Sequence, residues 1–401
     1  MPFDISCDRL TLRNAFAIVA KFSPPKSPRD VFMHVRAESY GSTLELTATN
    51  GETTAVVKIT SGVAVLGTGV TLLPTSRMTA ILKEVAGNDV SITDGGEAIT
   101  IVAGRSKFRM PTTPHDEFPR HQSEQWEQYT TITSGQFRSI CRRTLFAADD
   151  ESTRYALGGV HFSASAGNVV ALSSDGRRGS MTSCQGVAEG GHVIGNEHGM
   201  NGAIVPIPSL ALIDRSIGDS GDVDIAMFGN DFAIRTDSLT ITTRTLEGRF
   251  PDMRRVMPNL SEYHEIKLDE VPGGLDAAVR QAAVVTEKES RGLRLSIGGD
   301  NLRIEGETAS VGQSTIELPI DTGQFKCSNR LDSAYLKDFF NALLPTEAAS
   351  IYFKNEKAVV IMQTTAGDWT YMLQPMSLTP IESTPAAKPS KKTRDAEAAM
   401  A

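Results

Sequence analysis

The chain reads as an α+β protein built from three repeated domains, each with two helices packed on antiparallel sheets. Three observations lead there. Segments with apolar residues at helical spacing alternate with β-branched runs of period two, and the order helix, strands, helix, strands recurs three times. Each copy spans about 125 residues, which is a domain repeat rather than a solenoid repeat. The linkers Glu151-Ser152-Thr153-Arg154 and Glu289-Ser290-Arg291-Gly292 also echo one another, each joining a first helix to its first strand.

In the first copy, Asp8 to Lys21 places Leu10, Phe16, Ile18 and Val19 among small residues at helical spacing and is expected as a helix. Val31 to Ala37, Thr43 to Thr49 and Thr53 to Thr60 are expected strands, with Asn50-Gly51 turning between the last two. Gly67-Thr68-Gly69 reads as a turn, and Pro74 introduces a second helix, Ser76 to Val85. Asp89 to Thr93, Ala98 to Val102 and Ser106 to Met110 close the copy around the turn Asp94-Gly95-Gly96.

The second copy repeats this with a helix at Ser134 to Ala147 and strands at Val160 to Ser165 and Val169 to Ser174, turning at Asp175-Gly176. Pro206 opens its second helix, Ser209 to Ile217, before strands at Asp222 to Phe228, Phe232 to Thr236 and Leu239 to Arg244. The third has a helix at Pro272 to Val285 and strands at Gly292 to Ile297, Leu302 to Gly306 and Gln313 to Ile320. A last helix, Leu331 to Leu344, leads to strands at Ala348 to Lys354, Lys357 to Thr364 and Trp369 to Pro375. The expected domains are 1–127, 128–260 and 261–378, and residues 379–401, rich in Pro, Ala, Lys and Glu, read as a disordered tail.

Length and composition fit soluble globular protein: 401 residues, 40% hydrophobic, 22% charged. The formal net charge of −8 argues against simple nonspecific nucleic-acid binding, yet the charge is unevenly spread. The six expected helices carry eleven basic residues (Arg9, Arg13, Lys21, Arg77, Lys83, Arg138, Arg142, Arg143, Arg215, Arg280, Lys337) against six acidic ones, a net of +5. If the helices share one surface, it is basic within an acidic protein; otherwise these are ordinary solvated helix faces. A basic lining without stacking aromatics suits phosphate contact rather than base reading. Cys7, Cys141, Cys184 and Cys327 show no CxxC spacing and read as reduced thiols of a cytoplasmic protein. The first residues lack a signal-peptide pattern, and no run of about 18 apolar residues suggests a membrane span.

Leu246 to Pro258 stands apart. Pro251 and Pro258 bracket a segment that cannot be a helix interior or a central strand. Phe250, Met253, Val256 and Met257 beside Arg249, Arg254 and Arg255 are expected to be exposed, as in a connector that also binds a peptide; the alternative is an ordinary linker.

No catalytic or metal motif is found. The seven histidines form no HExxH, His192 and His198 read as solvated loop residues, and Gly67-Thr68-Gly69 lacks the GK[ST] of a P-loop. No G-x-S-x-G elbow occurs, so neither catalysis nor a cofactor is expected.

Over about residues 1 to 378 the sequence resembles bacterial DNA polymerase III β subunits, the sliding clamps. The resemblance is carried by ESTRYALGG (151–159), SDGRR (174–178), GRFPDMRRVMP (248–258), EKESRGLRL (287–295) and LQPM (373–376). It implies the DNA clamp fold and a ring-shaped, head-to-tail homodimer, with helices lining the hole and sheets forming the outer wall. It implies an interface pairing Phe108 and Met110 with Val284 and Val285 of a second copy, although Phe108 could equally be core. It implies a partner-peptide groove at Leu157, Ser174, Gly176, Arg178, Pro251, Arg255, Val256, Tyr335, Met372, Pro375 and Met376. Of these, Leu157, Val256 and Met372 could instead be buried core.

DNA-facing positions would be Arg13, Lys26, Arg77, Lys83, Arg138, Arg142, Tyr155, Arg215, Arg280 and Lys337. The implied partners are encircled double-stranded DNA, the DNA polymerase III catalytic subunit, a clamp loader, and other clamp-binding repair polymerases, mismatch-repair or ligase proteins. The chain departs from the family at the acidic Asp149-Asp150-Glu151 loop, at Ile207-Pro208, where some relatives are basic, and in its tail. It also departs at Gly179, where relatives often place an apolar residue in the groove. Three functions remain open at this point: a processivity clamp, a specialised second clamp, or a β-rich hydrolase or ligand-binding protein that shares only the fold.

Overall fold

The computed structural model describes residues 2–119, 126–149, 155–195, 202–253, 257–271, 273–287, 291–308 and 310–377. They divide into two compact units. The larger comprises Met1–Leu268, Asp338–Tyr352 and Ile361–Leu373; the smaller comprises Asp269–Lys337, Phe353–Val360 and Gln374–Ala401.

Every helix expected from the sequence is present: α1 (Arg9–Val19), α2 (Thr75–Glu84), α3 (Ser134–Thr144), α4 (Ile207–Asp214), α5 (Leu275–Ala282) and α6 (Ser333–Ala342). Their ends follow local chemistry. Asp8 caps α1 by accepting from the Thr11 amide at 2.8 Å. Thr133 and Gln136 form a reciprocal capping box on α3. Gly274 starts α5 at φ +81°, a backbone conformation that a side chain would strain. The expected helix tails Leu145–Ala147 and Ala283–Val285 tighten into 3-10 turns.

The larger unit holds three antiparallel sheets. One has five strands in the order Val63–Gly67, Asp4–Asp8, Asp89–Asp94, Ala98–Ala103, Ser106–Pro111. A second has nine and joins the first and second sequence copies: Leu239–Arg244 pairs with Thr53–Ile59. The third has eight and joins Arg178–Gln185 to Trp369–Leu373. A continuous core lies between the helices and these sheets, with Leu12, Phe16, Phe137, Ile140, Leu210 and Ile213 from the helix side. Each such side chain contributes about 2 kcal/mol on burial. The smaller unit carries a four-stranded sheet in the order Gly312–Pro319, Asn301–Thr308, Gly292–Ile297, Cys327–Asp332, with α5 packed on it.

Several sequence expectations need correction. Residues 31–33 belong to a 3-10 turn (Asp30–Met33) rather than a strand, because Val31 and Phe32 fill a small satellite core with Leu72 and Phe118. The strand starts at His34. Leu331 and Asp332 end a strand instead of starting α6; Asp332 then accepts from the Ala334 amide at 2.8 Å and turns the chain into the helix. Asp4–Asp8, Val63–Gly67, Gly69–Pro74, Tyr129–Thr133, Arg178–Gln185, Val187–Glu189, Ala203–Pro206, His264–Lys267 and Cys327–Asp332 are strands that the pattern reading missed. Most are short, and Val63–Gly67 and Gly69–Pro74 carry the glycines that read as a turn.

The junction of Arg178–Gln185 with Trp369–Leu373 is organised by a buried cation. Arg143 is 3% exposed and donates to Asp368 and Glu347, both at 2.8 Å, and to Thr182 Oγ1 at 3.2 Å. Its guanidinium lies 5.2 Å from the Trp369 ring, which stacks on Phe339 at 4.5 Å. Burial alone would raise the Asp368 pKa; the Thr364 hydroxyl and Arg143 overrule it and hold the carboxyl below its usual range. The side chains of Glu347 and Asp368 are 21% and 41% exposed, so water can replace part of what Arg143 gives them. Arg143→Leu should therefore cost about 1 to 2 kcal/mol, mostly in lost hydrogen bonds, read as a fall in the urea midpoint. An unchanged midpoint would mean that the network contributes nothing.

Candidate functional site

Three strands bring groove positions into one row. Ser174 pairs with Gly179, and Gly179 pairs with Met372. Directly opposed residues of antiparallel strands project to the same face. The turn between the first two strands is fixed by Asp175, whose Oδ1 accepts from the Arg177 and Arg178 amides at 2.9 Å, and by Gly176 at φ +83°. Ser174 Oγ donates to the Arg178 carbonyl at 2.7 Å. Leu157, Ser174 and Met372 are all buried in the free chain.

Arg178, expected to orient a peptide, is engaged internally. It pairs with Asp175 at 2.9 Å and Asp338 at 2.5 Å, donates to the Phe146 carbonyl, and lies 5.5 Å from the Phe146 ring. Its guanidinium ties the groove strand to α6 rather than standing open. The connector is likewise less exposed than expected. Phe250 and Met253 are buried, Phe250 packing on His161 with ring centroids 5.3 Å apart. Pro251 between them is exposed, as is Arg249. Arg255 and Val256 lie outside the described residues. Tyr335, Pro375 and Met376 belong to the smaller unit, where Met376 bridges to Arg330.

The basic residues fall into groups. Lys21 donates to the Arg215 carbonyl, and burial together with the charges of Arg215 and Arg138 lowers its pKa. Arg138, Arg142 and Arg215 surround Asp214, whose pKa is raised by burial in spite of those three cations. So Lys21, in the 3-10 turn Ala20–Phe22 that follows α1, joins the cations of α3 and Arg215 at the end of α4 in one basic cluster; it is not among the residues expected to face DNA. Arg142 donates to the Ala342 carbonyl at 2.9 Å and so also caps α6. Arg13, Lys26, Arg77 and Lys83 are exposed. Arg280 is exposed and pairs with Asp276 at 2.5 Å, and Lys337 is half-buried. Arg143 is buried and adds no charge to the helix surface. Tyr155 lies in a 3-10 turn, Tyr155–Leu157, and the strand begins only at Gly159.

Phe108 and Met110 sit on Ser106–Pro111, the last strand of the five-stranded sheet, and pack partly against the core. Val284 is 77% exposed and Val285 half-buried, next to Gly312–Pro319, the last strand of the four-stranded sheet.

His192 is buried rather than solvated, donating to or accepting from Thr130 Oγ1 at 2.8 Å, and burial lowers its pKa. His198 lies outside the described residues. Among the described residues no cluster of His, Cys, Asp and Glu could hold a metal, and no helix is long and apolar enough to cross a membrane.

Helix pairs backed by long, edge-joined antiparallel sheets, with a basic helical face and an apolar row beside a connector, define a DNA clamp fold. Residues 3–122 match the family described as DNA polymerase III beta subunit, N-terminal domain, and residues 131–252 match its central domain. The beta sliding clamp of Chlamydia pneumoniae is 25% identical over 80% of this chain and 84% of its own. The Bacillus subtilis sliding clamp structure superposes with a TM-score of 0.86 at 15% identity, over 94% of this chain and all of its own. A Pseudomonas aeruginosa sliding clamp gives 0.83 at 22%, with the same coverage. The chain belongs to the bacterial DNA polymerase III beta subunit family. These matches favour the replicative clamp over a specialised second one.

The basic face generates a prediction. Removing a cation that touches one phosphate lowers the slope of log K against log salt by about 0.9 for duplex DNA. Lys21→Gln with Arg215→Gln should reduce that slope for a short duplex by about 1 to 2, measured by fluorescence anisotropy across a salt series. An unchanged slope would place these cations away from DNA.

Proposed function

We propose that the chain is the processivity factor of DNA polymerase III. It acts as a ring-shaped homodimer that encircles duplex DNA without reading its sequence and tethers the polymerase through the groove. We assign it three clamp domains, 1–127, 128–260 and 261–378, and no catalytic role or cofactor.

One observation supports the ring most directly. Where sequence copies join within the chain, they do so through sheets of nine and eight strands. Among the described residues, Ser106–Pro111 ends the five-stranded sheet opposite Val63–Gly67, and Gly312–Pro319 ends the four-stranded sheet opposite Cys327–Asp332, each with no strand on its outer side. Joined across two copies of the chain, five and four strands would make another nine-stranded sheet. Head-to-tail pairing done twice closes a two-fold ring and leaves none of these edges open to aggregation. Phe108, Met110, Val284 and Val285 lie on or next to those edges.

Retention by encirclement reconciles a net charge of −8 with a DNA partner. The basic face has only to lubricate contact with phosphates, because topology rather than affinity prevents escape. Loading such a ring calls for a separate clamp loader. The catalytic subunit, repair polymerases, and mismatch-repair or ligase proteins would share the groove by presenting short apolar peptides.

The edge can be tested selectively. In the hairpin Ala98–Ala103/Ser106–Pro111, Ala103 pairs with Ser106, so alternation turns the amides of Lys107 and Arg109 away from the neighbouring strand. Arg109→Pro removes an outward donor while sparing the pairing within the chain. The variant should sediment as a monomer and fail to support long primer-extension products. A variant that stays dimeric and processive would contradict the edge-pairing account.

A further inference from the structure

Gly179 faces a side chain that the sequence pattern placed on the surface. A Cβ built on Gly179 would lie 2.0 Å from the Met253 ε-methyl, 3.2 Å from the Met372 ε-methyl and 3.6 Å from Met253 Sδ. No real Cβ tolerates the first distance, so the connector's Met253 fills the volume that residue 179 leaves open. Both methionines are buried, at 7% and 5% exposure. Gly179 has no positive φ, so its backbone does not require glycine. What requires a small residue here is the seated methionine.

We propose that Met253 is a built-in occupant of the groove's apolar pocket, and that a partner peptide binds by displacing it. This rests on the groove reading given above. An empty apolar slot between Gly179 and Met372 would leave methyl groups against water, and Met253 covers them in the free chain. Methionine suits a removable cover: it is unbranched, has three rotatable bonds and repacks with little loss. Its neighbour Phe250 remains anchored on His161, so Met253 can swing out without the whole connector detaching. A peptide's Leu or Phe side chain takes the vacated volume, and its observed affinity is lowered by the fraction of chains whose pocket is closed. Gly179 and Met253 therefore set, as a pair, how readily this groove admits an apolar anchor.

The test uses the full chain, a fluorescent peptide carrying adjacent Leu and Phe residues, and the variants Met253→Ala and Gly179→Ala. Retained dimer mass and melting temperature show that each variant is folded. Met253→Ala should bind the peptide about 5-fold to 10-fold more tightly. Gly179→Ala, which evicts Met253 in advance, should also tighten binding, by less, since its methyl takes part of the slot. In the unsubstituted chain labelled with 13C-methyl methionine, peptide should shift the Met253 resonance towards the position of an exposed methyl. Peptide binding that is equal or weaker in Met253→Ala, with an unmoved Met253 signal, would overturn the proposal and make Met253 a fixed wall. If neither the unsubstituted chain nor any variant binds the peptide, the groove reading itself fails and the proposal falls with it.

Discussion

The structure depends on main-chain hydrogen bonding between strand edges that lie far apart in the sequence. Leu239–Arg244 pairs with Thr53–Ile59, and Arg178–Gln185 pairs with Trp369–Leu373. These pairings join the sequence copies into shared sheets. An unpaired edge is a row of unsatisfied donors and acceptors, and the fold satisfies it with another edge of the same kind. The helices follow from this constraint. The core lies between the helices and the sheets, so most of the helices' basic residues are left on the side away from the sheets, with the buried Arg143 the exception.

The buried Arg143 network shows how such a junction is held in register. A hydrophobic seam between two strands could slip, with every side chain changing face. Arg143 contacts Thr182 on one strand and Asp368 at the start of the other, and Trp369 donates to Ser180 Oγ at 2.9 Å across the same seam. Several polar contacts with fixed geometry admit one register. The groove row Ser174, Gly179, Met372 lies further along this junction, so its alignment is inherited from the same contacts.

Much of this was legible in the sequence, and the failures have physical causes. The helices were readable because their apolar period and flanking Pro, Gly and capping residues agree locally. The missed strands were those whose partners come from elsewhere. Arg178–Gln185 reads as polar and Gly-bearing, and becomes a strand only because Trp369–Leu373 and Asn168–Ser174 flank it. Burial was misjudged where a tertiary neighbour supplied it: Phe250 by His161, Met253 by the gap at Gly179, Arg143 by two carboxylates from distant turns. Arg178 had the look of a ligand-binding residue, and pattern could not reveal that Asp175 and Asp338 already claim it.

The central claim is that two copies of this chain, joined edge to edge, hold DNA by enclosure. The most direct measurement is retention on nicked circular duplex, after loading, before and after a single linearising cut, at a salt concentration that abolishes direct binding. The account predicts stable retention on the circle and rapid loss once the ends are free. Equal retention on circular and linear DNA would contradict it, because the protein would then be gripping the duplex rather than surrounding it.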